Sequence, residues 1–456
     1  MPEVLLLSPF RGRSPRPALS NPPSLELIIS SATAIPIGQA TEFPTAREVE
    51  LPTLERFGSD GHQRLRIAIV SPEVGAGAGV PHYWLALAGA LSREHEVHVF
   101  TAKTDRDGLE GVSFHKVPAV ALGWFLSHMT FYLAARARFL FRRLTLQKPF
   151  DVILGVGALT PFADVTTVHF VQAREIELQR QGLIPRPRPL AGLAALDYML
   201  YSRTMAWLGA RFYRGSKASI VAISQSVKQD LALFEGANPA AISVVPNGVD
   251  VERFSPVIRN HCRAETREKL GLADSDVAVI FVGNSWGRKG LSTAIKAIDG
   301  PDHSNVRLIV VGDGEPSSFV QSLPTELAGR IIFVGPKSAD VERYYAASDI
   351  FMLPTLYEPF GLVILEALAS GLPSIFSACA GASEWLEDGV DAVFLRDPSD
   401  GDEARVALQN VISSPEFARR LSENGRLAAE RLQWSNAGRQ LIETAAARKR
   451  ALAASA

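Results

Sequence analysis

Cysteine is the scarcest residue type in this chain of 456 residues. Only Cys262 and Cys379 occur, which excludes a disulfide framework and a cysteine-built metal site and suits a reducing compartment. Long apolar runs are missing too, since none approaches the roughly 18 residues of a membrane span. The first ten residues carry no basic segment ahead of their short apolar run, so they do not read as a secretory signal. Net charge is nearly absent: 47 Lys plus Arg face 48 Asp plus Glu, a balance of -1 that excludes a whole-chain polyelectrolyte grip on nucleic acid. The chain reads as cytoplasmic, with any membrane contact confined to its surface.

What is present is an ordinary globular composition, 47% apolar and 21% charged, in a length that suits two lobes. Residues 1–63 are rich in Pro, Ser and Thr without a sustained period and read as a flexible tail. From there the grammar is strand, Gly loop, helix, strand. Leu65–Val70 and Glu96–Thr101 are apolar strand candidates around a helix near Tyr83–Ser92, followed by Val152–Gly155, Thr166–His169 and Ser219–Ala222. The second half repeats the alternation with Val277–Val282, Val306–Val311, Ile331–Val334, Ile350–Leu353, Ser374–Ser377 and Ala392–Leu395. This predicts an α/β chain of two Rossmann-like, doubly wound parallel-sheet domains facing across a cleft. The expected divisions are a first lobe at 64–250, a second at 251–433, and a C-terminal helix at 434–456 returning toward the first. Val245–Pro256 reads as the linker.

Three loops carry the candidate chemistry. Val74-Gly-Ala-Gly-Ala-Gly-Val80 places Gly75, Gly77 and Gly79 before a helix, where backbone N–H groups can meet an anion; a plain tight turn would use the same glycines. The dinucleotide fingerprint fails here. Val80 stands where its third glycine belongs, and Thr101-Ala-Lys ends the next strand without an acid, which disfavours a nicotinamide oxidoreductase. Gly283-Asn-Ser-Trp-Gly-Arg-Lys-Gly290 sets Arg288 and Lys289 beside a helix start, a site for a diphosphate. A solvated basic pair is the competing reading. Tyr357-Glu-Pro-Phe-Gly-Leu-Val-Ile-Leu-Glu366 puts Glu358 in a loop and Glu366 inside an apolar helix, roughly 9 Å from its start. One carboxylate can then meet a sugar and the other a ribose, with phosphates on the N–H groups of Phe360, Gly361, Leu362 and Val363. Buried carboxylates without partners are costly, which favours ligands for both.

With Val245-Pro-Asn-Gly-Val-Asp250, Phe254 and Val311-Gly-Asp-Gly-Glu315, these loops make the chain resemble the retaining GT-B glycosyltransferases of family 4. The resemblance covers about residues 65–445. Many members carry an arginine directly after the strand's glycine in a loop one residue longer. Asn284 stands there in this chain, and the shorter loop resembles the lipopolysaccharide-core glucosyltransferase branch, with Arg288 in that arginine's place.

The resemblance implies a hexosyltransferase that uses a UDP- or GDP-sugar and a glycan or lipid-linked acceptor in cell-envelope polysaccharide synthesis. Glu366 would hold the ribose, Glu358 the donor sugar, Arg288 and Lys289 the diphosphate with Asn284 also on the donor, Gly77 and Gly79 acceptor or phosphate, and His169 the region of the anomeric carbon. Retention by front-face attack is implied as well. No cofactor and no metal are expected, because the two cations supply the charge and no Asp-x-Asp closes a predicted strand. A sugar-nucleotide epimerase and a non-catalytic nucleotide-sugar-binding subunit are the alternatives.

One stretch bears on the acceptor. Residues 124–217 hold 13 Lys plus Arg against five acids, a local +8, and Trp124–Leu146 mixes large apolar residues with arginines at helical spacing. Two readings stand: a core helix with a solvated basic edge, or a peripheral helix on the anionic cytoplasmic face of the inner membrane.

Overall fold

The computed structural model describes residues 64–77, 79–105, 109–144, 149–184, 192–215, 218–337 and 339–454. The tail read over 1–63 lies outside them, as do Lys148, Arg186, Arg188 and Lys217 of the basic stretch.

The first sheet holds β1 (Arg66–Val70), β2 (Glu96–Thr101), β3 (Val112–Lys116), β4 (Val152–Val156), β5 (Val165–Val168), β6 (Ser219–Ala222) and β7 (Ile242–Val244), in the order β3-β2-β1-β4-β5-β6-β7. The second holds β8 (Val277–Val282), β9 (Val306–Val311), β10 (Ile331–Gly335), β11 (Ile350–Leu353), β12 (Ser374–Ser377) and β13 (Val393–Leu395), in the order β10-β9-β8-β11-β12-β13. Every pairing in both sheets is parallel. Their inner strands are apolar at successive positions, as in Ile67–Val70 and Ala278–Phe281, because helices cover both faces. In each sheet the order reverses beside the first strand, which opens a crevice at the carboxyl ends.

The helices that bear on the site are α1 (Val80–Ser92), α2 (Gly123–Leu144), α3 (Gly192–Gly215), α4 (Gln225–Glu235), α5 (Pro256–Lys269), α6 (Leu291–Ile298), α7 (Val341–Ala347), α8 (Leu362–Ala369) and α9 (Trp434–Ala454). The chain crosses between the sheets twice, and the crossings lie together. Val249 N–H donates to the Leu432 carbonyl at 2.8 Å, and a Cβ on Gly248 would overlap the backbone of Gln433 and Trp434. α9 then joins the first sheet's core, where Trp434, Ala437 and Leu441 meet Tyr83, Trp84 and Leu87. Trp434 pins this helix edge-on to Tyr83, 5.2 Å between ring centres.

The structure corrects the strand list at its margins. β3 and β7 were not expected: the first is an alternating edge strand, the second only three residues long. β5 ends at Val168, so His169 is the first residue beyond the strand rather than its last. His98 is a satisfied core histidine, bonded to Glu96 at 2.7 Å and His115 at 2.8 Å.

Candidate active site

The loop after β8 is a tight turn whose backbone aims two cations at one place. The N–H groups of Arg288 and Lys289 donate to the Ser285 carbonyl at 2.9 and 3.1 Å, and Ser285 takes a positive φ of 57° to allow it. Gly290 ends the turn at φ 81°, packed so closely on Pro354 that a Cβ would overlap its carbonyl oxygen. Arg288 then donates to the Tyr357 carbonyl, and Lys289 forms a buried ion pair with Glu358. Burial raises the Glu358 carboxyl, but Lys289 and Arg288 outweigh it and hold the pKa below the usual carboxylate value.

Beyond Glu358 the chain turns into α8 through Gly361 at φ 100°, and no side chain caps that helix. Its first N–H groups, those expected to meet phosphate, therefore stay open at the end of the helix beside both cations. Glu366 lies one turn further on. Tyr345 of α7 donates to its Oε2 at 2.9 Å. Burial raises the Glu366 carboxyl above its ordinary value, against the Tyr345 hydrogen bond and the charges of Arg253 and Lys289. Two carboxylates with seven residues between them are thus shifted in opposite directions. Tyr345 and Arg253 were not anticipated: Arg253 lies between the quoted Asp250 and Phe254, but nothing in the spacing of Tyr345 announces it.

Asn284, expected to bind donor, acts within the fold. Its side-chain oxygen accepts the Asp313 N–H at 2.8 Å and ties the first loop to Gly312–Glu315, while the residue stays exposed.

In the first sheet the Gly loop is open. Nothing lies within 4 Å of where a Cβ on Gly77 or Gly79 would stand, and Gly79 begins α1 at φ 75°. One expectation fails beside it. A short strand, Lys103–Thr104, pairs with Glu73–Val74, and Asp105-Arg-Asp107 follows it, so an Asp-x-Asp does stand at a strand end. The Asp105 carboxylate accepts the Ala76 N–H at 2.9 Å, which makes it a brace for the Gly loop; Asp107 lies outside the described residues. His169 bonds to the Thr167 hydroxyl at 2.9 Å and meets the Tyr83 ring edge-on at 4.3 Å. Burial lowers its pKa to about 3, so it works as a neutral imidazole.

The sheets touch beside Glu358. The Ser224 hydroxyl donates to the Pro359 carbonyl at 2.8 Å, and Glu384 accepts the N–H groups of Gln225 and Ser226 at 2.6 and 2.9 Å, capping α4 from the other lobe. Tyr357 O–H reaches Asp230 at 3.3 Å. The expected residues do not share one cavity. Glu366 and Leu362 open on a cleft of about 700 Å³ that also meets His82, Arg253 and Trp434. His169 lines a separate hollow of about 270 Å³ in the first lobe.

The basic stretch includes two helices, α2 and α3, that are partly buried and keep an exposed edge. α2 buries Phe131 and Ala135 in the first lobe's core. Its outer edge shows Trp124, Leu133 and Leu140 beside Arg136, and α3 against it shows Leu193, 85% exposed, and Trp207, 63% exposed. That edge is apolar as well as basic. Among the described residues no helix is long and apolar enough to cross a membrane.

Two doubly wound sheets with their loops meeting at the carboxyl ends are the GT-B architecture. The family model described as Glycosyltransferase Family 4 matches residues 77–253, and the model described as Glycosyl transferases group 1 matches residues 263–428. The chain belongs to the GT-B glycosyltransferases, and it resembles the lipopolysaccharide-glucosyltransferase branch. It is 24% identical over 392 residues to an uncharacterized glycosyltransferase of Methanocaldococcus jannaschii, covering 83% of this chain and 97% of that protein. It is 24% identical to the lipopolysaccharide glucosyltransferase WaaG of Escherichia coli (77% and 91%). To the GDP-mannose-dependent alpha-(1-6)-phosphatidylinositol monomannoside mannosyltransferase of Mycolicibacterium smegmatis it is 27% identical (82% and 96%). The crystal structure of WaaG superposes with a TM-score of 0.66 at 19% identity, over 83% of this chain and 98% of that one, which supports the fold. The chain is a glycosyltransferase.

Proposed function

We propose that this enzyme transfers a hexose from a UDP- or GDP-sugar to an acceptor hydroxyl with retention of configuration and without a metal ion. One observation carries the reading: Arg288 and the buried Lys289–Glu358 pair stand at the uncapped start of α8. A leaving nucleoside diphosphate gains negative charge as its bond to the anomeric carbon breaks. Fixed cations and helix N–H groups stabilise that charge most in the transition state, worth roughly 3 kcal/mol per donor. Glu358, ionised at neutral pH, accepts hydroxyls of the donor sugar, and Glu366 accepts a ribose hydroxyl through the oxygen that Tyr345 leaves free. The acceptor oxygen bonds to the anomeric carbon on the face from which the diphosphate departs, and the hydroxyl proton passes to the departing phosphate oxygen. Neutral His169 lines the acceptor side.

The acceptor is proposed to belong to an envelope glycan made at the cytoplasmic face of a membrane. The exposed apolar and basic edge of α2 and α3 supports this, since contiguous exposed apolar surface marks interaction sites and each surface cation adds about 1 kcal/mol on anionic lipid. Binding to anionic but not neutral vesicles, weakened by salt, is the expected result.

Thermal shift with UDP-, GDP- and ADP-hexoses selects the donor. Nucleoside diphosphate release that needs acceptor and survives EDTA, with the product's anomeric configuration read by NMR, tests the rest. Release without acceptor and conversion of the donor to its epimer would favour the epimerase instead.

A further inference from the structure

The hollow of about 270 Å³ in the first lobe is used by none of these steps except through His169. It lies at the carboxyl ends of β4 and β5, where doubly wound sheets take ligands. One wall is α3, which presents Tyr201, Met205, Gly209 and Tyr213 on successive turns. Small residues keep it hollow. Gly157 sits at the end of β4 with φ 50°, and a Cβ on Gly209 would press on Glu235 Oε2 at 3.1 Å.

Glu235, the last residue of α4, closes the hollow and is only 5% exposed. Among the described residues no donor reaches its carboxyl, and Arg214 is the charge that acts on it. Burial outweighs Arg214 and pushes the carboxyl up to about 7, while His169 titrates near about 3. Among the described residues no Lys or Arg lines the hollow. A phosphate or carboxylate entering it would meet no cationic side chain among the described residues, only the uncapped start of the helix Gln172–Arg180, and burying a charge without a countercharge is costly. An uncharged ligand meets the opposite case. Thr167, Gln172 and Glu235 offer hydrogen-bonding atoms, while Val168, Met205 and Leu231 offer apolar surface. A pyranose ring has that same pairing of hydroxyl edge and C–H face. At about 30 Å³ per water, the hollow holds roughly nine waters, room for one ring and not a chain of them.

We infer that this hollow is an acceptor subsite for a single uncharged pyranose ring, with the Glu235 carboxyl hydrogen-bonded to one of its hydroxyls. It rests on the transferase reading above and narrows the acceptor: the ring seated there carries no phosphate or acid group.

Saturation-transfer NMR on the full chain tests it with methyl α-D-glucopyranoside, methyl α-D-mannopyranoside and glucose 6-phosphate, with UDP and GDP binding as the control for an intact second lobe. A methyl hexoside is expected to receive saturation and glucose 6-phosphate is not. Ala206→Trp, which fills the hollow, should cut the hexoside signal by about tenfold with a nucleotide still bound. Should that variant fail to fold, Met205→Trp fills the same space from the neighbouring position. Equal contact by glucose 6-phosphate, no contact by either hexoside, or a hexoside signal that survives both tryptophans would overturn the subsite. Failure of the unaltered chain to bind UDP, GDP or their sugars would instead strike at the transferase reading.

Discussion

The loops that follow the first strand of each sheet occupy the same topological position and are built in opposite ways. After β8 the turn is packed: Gly290 lies against Pro354, Asn284 ties it to Asp313, and Arg288 and Lys289 are committed to the Tyr357–Glu358 segment. After β1 the turn carries no cation, is braced by Asp105, and leaves open space around Gly77 and Gly79. The acids behind the loops differ likewise. Glu358 meets two cations and is held ionised, while Glu235 meets no donor and is pushed toward neutrality. One fold, used twice, gives a rigid lobe suited to an anion and an open lobe suited to a neutral partner.

Breaking the charged side of the comparison should have the largest effect. Lys289→Ala leaves Glu358 buried without its closest cation. Turnover is expected to fall 10²–10³-fold, as for loss of one transition-state donor, and stability by about 3 kcal/mol, as for one half of a buried pair. Adding Glu358→Gln removes the stranded charge, so stability returns and turnover does not. Steady-state kinetics and urea midpoints on both variants separate the effects. A Lys289→Ala enzyme with near-normal turnover would make the pair a fold element only.

The packing side is next. Gly290→Ala must fit a Cβ onto the Pro354 carbonyl at φ 81° and should cost on the order of 3 kcal/mol. Gly77→Ala meets open space and should stay within about 0.5 kcal/mol. If acceptor approaches the first loop closely, that alanine raises the acceptor KM without moving the urea midpoint. Equal destabilisation by both alanines would erase the contrast.

The same contrast decides what was legible in the sequence. The second lobe's strands are continuous apolar runs, and its site residues sit in loops whose glycines, cations and acids are close in the chain, so Arg288, Lys289, Glu358 and the start of α8 were found together. The contacts that crowd round them were not. Tyr345 reaches Glu366, and Ser224 and Glu384 tie the lobes beside Pro359, across separations that no local period encodes. In the first lobe β3 and β7 are edge strands, short or half-exposed, with weak patterns. Glu235 gave no signal at all. It reads as an ordinary helix-terminal acid until α3 is seen to close over it. Asn284 was legible by its loop alone, while the bond from the Asp313 N–H to its side-chain oxygen joins loops 29 residues apart and was not.

The smallest expected effect is also the sharpest test of the first lobe's neutrality. Glu235 has a folded pKa of about 7 against an ordinary 4.5, so between those values the native state holds a proton that the unfolded chain has released. Stability contributed by that proton is full below pH 4.5 and is lost as pH rises through about 7. Glu235→Gln cannot titrate. It should match the unaltered enzyme at low pH and exceed it at pH 8 by roughly 3 kcal/mol, one pKa unit being worth about 1.4 kcal/mol. Asp230, raised by burial to about 6, slopes the curve the same way in both proteins, so the difference between them isolates Glu235. Glu358→Gln should move oppositely and destabilise at neutral pH, because that acid is held below its ordinary value. Urea unfolding from pH 5 to 8 reads both. A Glu235→Gln enzyme less stable than the parent at pH 8 would mean that a cation reaches this carboxylate in the folded chain. The hollow would then carry charge, and an anionic acceptor would fit it better than a neutral ring.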